Sequence, residues 1–247
     1  MLVLFTISTL CACGKSYSIQ EQIAWSVVIV NSSSGVVIYS DNSKALVLTA
    51  YHVIAEEVEK AACSGCEIDL MVKYMYMDYD ETPDPSFERY KAINIDSKQA
   101  HDLALIEIHP TRKVWSMPVA KKTPKLGESI WLGANPNYNY RSIRPGAISS
   151  IDRMVGHNPY IEVSGGIIFG SSGGGAFNKN GELFGTIHAV DAWESPFCYP
   201  IFDEEGNVID SECVSVPLTH IGYVSQTFVL RDFLLKGLYK SYFEYLK

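Results

Sequence analysis

Three short segments hold residue types that could act together: LTAYHVI around His52, HDLALI around Asp102 and GSSGGGAF around Ser172. A serine hydroxyl attacks well only when a base takes its proton, a carboxylate orients and charge-stabilises that base, and backbone N–H groups receive the negative oxygen that forms. His52, Asp102 and Ser172 are the types required. They stand in that order, about 50 and then 70 residues apart. His101 adjoins the carboxylate, but alternation along a strand would send its side chain the opposite way, as for a surface residue. GSSGGGAF has the composition of a flexible linker, so composition alone leaves a linker and a fixed turn both open.

Such residues need a scaffold, and the chain reads as short β-rich runs separated by turn residues. Residues 24–30, 35–39, 45–49, 67–76, 103–108, 129–132, 147–151, 160–163 and 183–190 alternate or run apolar at strand length. This predicts an all-β protein of antiparallel barrels or sandwiches. Residues 112–126 mix charge and proline and read as the connection between two halves. Residues 79–90 are acidic and proline-broken, an exposed loop without the spaced oxygen ligands of a calcium site. Helical periodicity is confined to the tail, where Phe228, Leu235, Leu238, Tyr242 and Leu246 form the stripe of one amphipathic helix packed on the body.

Composition narrows the function classes. The 247 residues are 47% hydrophobic, enough for a buried core, with 28 acidic against 20 basic residues and no Lys/Arg run longer than a pair. Nucleic acid and anionic lipid surfaces are therefore not expected partners. No cofactor or metal is expected either. Residues 1–13 (MLVLFTISTLCAC) look like the apolar core of a secretory signal, although no basic residue precedes the run. Residues 10–13 (LCAC) are similar to a bacterial lipobox, which would make Cys13 a lipidated membrane attachment; a buried N-terminal strand is the competing reading. Export to the periplasm or cell surface is the matching expectation. Cys63, Cys66, Cys198 and Cys213 allow three pairings. A bridge across the hairpin turn at 202–207 would join Cys198 to Cys213 and agree with an oxidising compartment, and the CxxC pair could close on itself. A four-cysteine zinc site and free buried thiols stay open, the zinc site with poor spacing.

The three segments together resemble the TAxH, DxAL and GxSGG segments of the trypsin-like (chymotrypsin-fold) serine proteases. Residues 131–136 (WLGANP), 145–151 (PGAISSI) and 178–185 (NKNGELFG) are similar to stretches of the HtrA/DegP-like and related bacterial or phage branches, so the likeness covers roughly residues 22 to 228. It implies two antiparallel Greek-key β-barrels with the active site between them, followed by a C-terminal α-helix. The expected division is a leader and linker at 1–19, an N-terminal barrel at 20–115, a C-terminal barrel at 116–227 and the helix at 228–247. Ser172 would be the nucleophile, His52 the base and Asp102 the orienting carboxylate, with the N–H groups of Gly170 and Ser172 as the oxyanion hole. Ser171 would be structural, because GxSGG loses its spacing if the nucleophile moves by one.

The same likeness implies a polypeptide substrate. Gly166 would lie at the base of the primary pocket, with no acidic residue there to pair with Arg or Lys. Ile167 and Phe169 would make the pocket small or apolar. Ile187, His188, Ala189 and Val190 would form the strand that pairs with substrate backbone. His188 has two readings, recognition of an acidic side chain and a structural role near Asp102. Gly175, where many relatives have Pro or Ala, is expected to loosen the turn. No activation start of the digestive type and no following PDZ domain are seen. A serine endopeptidase is the leading function; a non-catalytic protein of the same fold that binds exported or unfolded polypeptides is the alternative, although such relatives usually lack a triad member. A structural surface lipoprotein is compatible with either.

Overall fold

A computed structural model describes residues 17–61, 67–74, 87–96, 101–136, 141–204, 206–236 and 239–247. The leader-like segment with Cys13, the Cys63/Cys66 pair and residues 79–86 of the acidic loop lie outside the described residues.

Two six-stranded antiparallel barrels carry the fold. The first contains β1 (Val27–Val30), β2 (Ser33–Ser40), β3 (Ala45–Ala50), β4 (Glu67–Lys73), β5 (Phe87–Asp96) and β6 (Leu103–Ile108). The second contains β7 (Ser129–Ala134), β8 (Ser142–Val155), β9 (Asn158–Ser164), β10 (Gly175–Phe177), β11 (Leu183–Phe202) and β12 (Val208–Ser225). Their neighbour orders are β1-β2-β3-β6-β5-β4 and β7-β8-β9-β12-β11-β10, the same Greek-key path used twice. Closure pairs β1 with β4 and β10 with β7, so neither barrel leaves a free edge.

The runs ALVLTA and LALIEI are apolar at nearly every position because β3 and β6 are buried on both faces. Ala45, Val47, Ala104, Ile106 and Ile108 point into the first barrel with Val28, Val30 and Leu70. Leu46, Leu48, Leu103 and Leu105 point the other way, into a layer shared with Phe177 and Leu183 of the second barrel. Ile130, Leu132, Ile148, Val163, Phe184 and Val224 fill the second barrel.

The tail covers that shared layer. It is not the single helix expected: α3 (Thr227–Lys236) is α-helical, and Lys240–Leu246 forms a separate 3-10 segment. Val229, Leu230, Phe233, Leu234, Phe243 and Leu246 bury their side chains in the layer. The connection at 112–126 is also more packed than its composition suggests. Val114, Met117, Val119 and Ala120 are buried, and Val119 bridges to Leu183.

Two further helices stand where strand or loop was expected. α1 (Ile19–Ser26) takes the first part of the run at 24–30. Its capping box is complete: Ser18 Oγ accepts from the Glu21 N–H, and the Glu21 carboxylate accepts from the Ser18 N–H. α2 (Ala55–Ala61) follows the turn that holds His52. The run at 183–190 extends into the long β11–β12 arm, with Cys198 paired to Cys213 in register and bridged by a disulfide. No helix among the described residues is long and apolar enough to cross a membrane.

Candidate active site

The convergence of His52 and Asp102 follows from strand register. Ala50 at the end of β3 pairs with Leu103 at the start of β6, so the next residue on one strand and the preceding residue on the other must meet. Tyr51 N–H donates to the Asp102 carbonyl at 3.0 Å, and His52 N–H donates to Asp102 Oδ1 at 2.9 Å. A single 3-10 turn over Tyr51–Val53 then aims the imidazole back at the carboxylate, with Nδ1 2.7 Å from Oδ2. Asp102 itself has φ +56°, one of two non-glycine residues with positive φ among those described.

A second ring shares the carboxylate. His188 Nδ1 lies 3.0 Å from the same Asp102 Oδ2, and its side chain is 3% exposed. Burial pushes the Asp102 carboxyl up, but the hydrogen bonds from His188 and His52 and the electrostatic pull of the two rings outweigh it. The group stays well below the usual carboxylate range.

Ser172 arrives from the second barrel on a fixed turn, not a linker. Its carbonyl accepts from Ser34 N–H at 2.9 Å and from Ser33 Oγ at 2.8 Å, both from β2 of the first barrel. Gly170 O accepts from Ser34 Oγ at 2.7 Å, and that same hydroxyl accepts from Asn135 N–H at 2.8 Å. Gly173 N–H donates to Ile187 O, and Gly174 N–H closes the turn on Ser171 O. Glycine at 173 is required twice over: φ is +81°, and a Cβ would stand 2.1 Å from Ser34 O. Gly175 does not loosen the turn. It lies in β10 between Gly133 and Thr186, and a Cβ there would strike Phe177 and Leu183.

The carbonyls of Gly170 and Ser172 are thus anchored, while their N–H groups have no partner among the described residues. Gly170 has φ +84°, a conformation open to glycine that leaves no side chain over the cavity. Ser172 Oγ donates to the His188 carbonyl at 3.2 Å.

His52, Gly170 and Ser172 border one cleft of about 330 Å³. Ile167, Phe169, Ile187, His188, Ala189 and Val190 also line it, together with Ile168, so most of its wall is apolar. Gly166 lies behind this wall, where its carbonyl accepts from Arg144 Nη1 and a Cβ would press on the guanidinium. Ser171 is buried, its Oγ taking the Ile168 N–H at 3.3 Å. His101 stands apart beside Tyr160 and Gln226. No group of three or more metal-ligating side chains occurs among the described residues.

Ser33, Ser34, Asn135 and Arg144 are supports that sequence reading missed. The serine triplet at 32–34 and an Asn directly after the apolar strand ending at 134 were the available signals, but partners more than 100 residues away are set only by the fold.

Residues 33–185 match the family profile described as the trypsin-like peptidase domain, a span that contains His52, Asp102 and Ser172. No curated protein matches the sequence. Among solved structures the chain is similar to Deg5, with TM-score 0.57 and 19% identity over 69% of this chain and 82% of that one. It is similar to the inactive form of the Rv3671c protease, with TM-score 0.54 and 18% identity over 88% and 91%. It is also similar to the HtrA-type protease AlgW bound to a tripeptide, with TM-score 0.59 and 18% identity over 87% of this chain and 60% of the AlgW chain.

Proposed function

We infer the division of labour among these residues from one premise: the chain belongs to the trypsin-like peptidase family. It is a serine endopeptidase. Ser172 is the nucleophile in this reading, and the observation that carries it is the fixed turn that presents Ser172 beside two free N–H groups, in the same cleft as an Asp-bound His52.

The reaction runs as acyl transfer. Ser172 Oγ leaves the His188 carbonyl and bonds to the carbonyl carbon of the substrate, while its proton passes to His52 Nε2. The substrate oxygen becomes an oxyanion held by the N–H groups of Gly170 and Ser172, and each such donor is worth about two to three orders of magnitude in rate. When the C–N bond breaks, His52 returns the proton to the leaving amine. Water then attacks the acyl-enzyme by the same route and restores Ser172. Throughout, Asp102 holds His52 with Nδ1–H toward itself, so that Nε2 can accept.

The apolar wall of Ile167, Phe169 and Ile187 favours small or apolar side chains before the scissile bond. β11 residues 187–190 offer backbone for pairing with an extended substrate. The test uses a fluorophosphonate probe and a peptide library with wild type and Ser172→Ala. Wild type is expected to label and to cut after uncharged residues, and the variant to do neither; a folded wild type that fails to label overturns the assignment.

The Cys198–Cys213 bridge supports export. Differential alkylation of protein from its native cells is expected to find the two cysteines bridged. Free thiols at both would place the enzyme in a reducing compartment instead.

A further inference from the structure

Asp102 Oδ2 stands within hydrogen-bond distance of two imidazoles, His52 Nδ1 at 2.7 Å and His188 Nδ1 at 3.0 Å. An ionised carboxylate has lone pairs and no proton, so both rings must donate Nδ1–H to it. That fixes the neutral tautomer of His188 and leaves its Nε2 with a bare lone pair. Nε2 is buried and has no hydrogen-bond partner among the described residues. Buried polar atoms are nearly always partnered, so an orphan next to the triad carboxylate asks for a reason.

Asp102 and His52 face the His188 ring from the first barrel. Tyr160 of β9 meets it edge-on at 5.5 Å between centroids, and Tyr223 of β12 lies beyond Tyr160 at 6.3 Å. Burial and the Asp102 charge push the Tyr160 hydroxyl up, so it stays neutral through the working pH range. The backbone of residue 188 touches the other end of the triad, through the Ser172 hydroxyl.

We propose that His188 is a positioning residue that holds Asp102 for His52 only while His188 is neutral, and that a proton on its free Nε2 switches the triad off. The proposal rests on the reading of Asp102 as the triad carboxylate. Charge bookkeeping gives the reason. With both rings neutral, the three side chains carry a net charge of −1, and transfer of the Ser172 proton to His52 brings them to zero. With His188 already protonated the group starts at zero, and the same transfer must build a net positive charge in a buried place. One carboxylate can neutralise one imidazolium, not two.

Three proteins test this: wild type, His188→Asn, whose amide N–H can replace Nδ1–H without titrating, and His188→Ala. In wild type the acid limb of log(kcat/KM) is expected to steepen from a one-proton to a two-proton slope, and in His188→Asn to keep a slope of one. His188→Ala is expected to lose about 10- to 100-fold in kcat with KM little changed, and His188→Asn to recover most of that loss. Identical one-proton limbs in wild type and His188→Asn, or a kcat for His188→Ala equal to wild type, would overturn the proposal. Imidazole 15N NMR of Ser172→Ala decides the matter if the His188 variants misfold. It is expected to show His188 as the Nδ1–H tautomer, and the Nε2–H tautomer would overturn it. A wild type that never labels with fluorophosphonate sinks the endopeptidase assignment, yet the NMR tautomer still reports on His188 itself.

Discussion

Asp102 occupies a backbone conformation that few L residues adopt, and its contacts explain why this one does. At φ +56° the carbonyl accepts Tyr51 N–H while the side chain turns to take His52 N–H on one oxygen and two imidazoles on the other. Asp and Asn bear this region best because a short polar side chain can bond locally. The charge matters as much as the shape. In Asp102→Asn an amide NH₂ would have to face an Nδ1–H, so His52 or His188 must change tautomer, and a His52 that does so no longer offers Nε2 as a base. We expect kcat to fall about 10⁴-fold with the circular dichroism of the fold unchanged; a loss of less than about tenfold would mean the carboxylate does not orient the base. The pH dependence has a definite sign. Because the folded-state carboxyl is held low, its stabilising contribution is complete above the ordinary carboxylate range and is lost only as pH falls through the lower folded value. Asp102 therefore stays ionised through the pH range in which the enzyme works.

Elements differ in how much of them the sequence reveals, and the differences have physical causes. β3 and β6 were plain because burial on both faces makes nearly every position apolar, and their register alone brings residues 52 and 102 together. α1 was hidden by the β-like composition of its last residues, Trp25 and Ser26, which run on into Val27. The sequence did hold the signal in Ser18 and Glu21, three residues apart, whose reciprocal hydrogen bonds start the helix. The apolar stripe of the tail runs through both of its segments and so suggests one helix, yet the backbone is α-helical over Thr227–Lys236 and 3-10 over Lys240–Leu246. In the Ser172 turn the glycines looked like freedom. Instead they are close-contact positions, since at 173 and 175 any Cβ would collide. What no local pattern carries is the inter-barrel support: Ser33 and Ser34 reach the nucleophile turn from more than 130 residues away.

At the scale of the molecule, function depends on two barrels keeping one orientation, because His52 and Asp102 belong to the first and Ser172 to the second. Two kinds of contact hold them. The polar set at the site joins Ser33, Ser34 and Asn135 to the carbonyls of Gly170, Ser172 and Val28, and His188 to Asp102. The apolar set is larger and lies behind the site, where Leu46, Leu48, Leu103 and Leu105 from one barrel meet Phe177 and Leu183 from the other under Leu230, Phe233, Phe243 and Leu246 of the tail. The tail therefore acts as a shared lid on the layer between the barrels. Phe243 tests this view, since it is 1% exposed and lies about 70 residues after Ser172 in sequence, in a segment that does not border the cleft. Removing its ring by Phe243→Ala leaves a cavity in the shared layer, and we expect a loss of about 3 to 5 kcal/mol in urea unfolding. The loss should appear in a single transition followed equally by tryptophan fluorescence and by fluorophosphonate reactivity, because both barrels lose the same support. Two separated transitions, with one barrel unaffected, would show that the tail belongs to one barrel alone and that the site is aligned by its polar contacts.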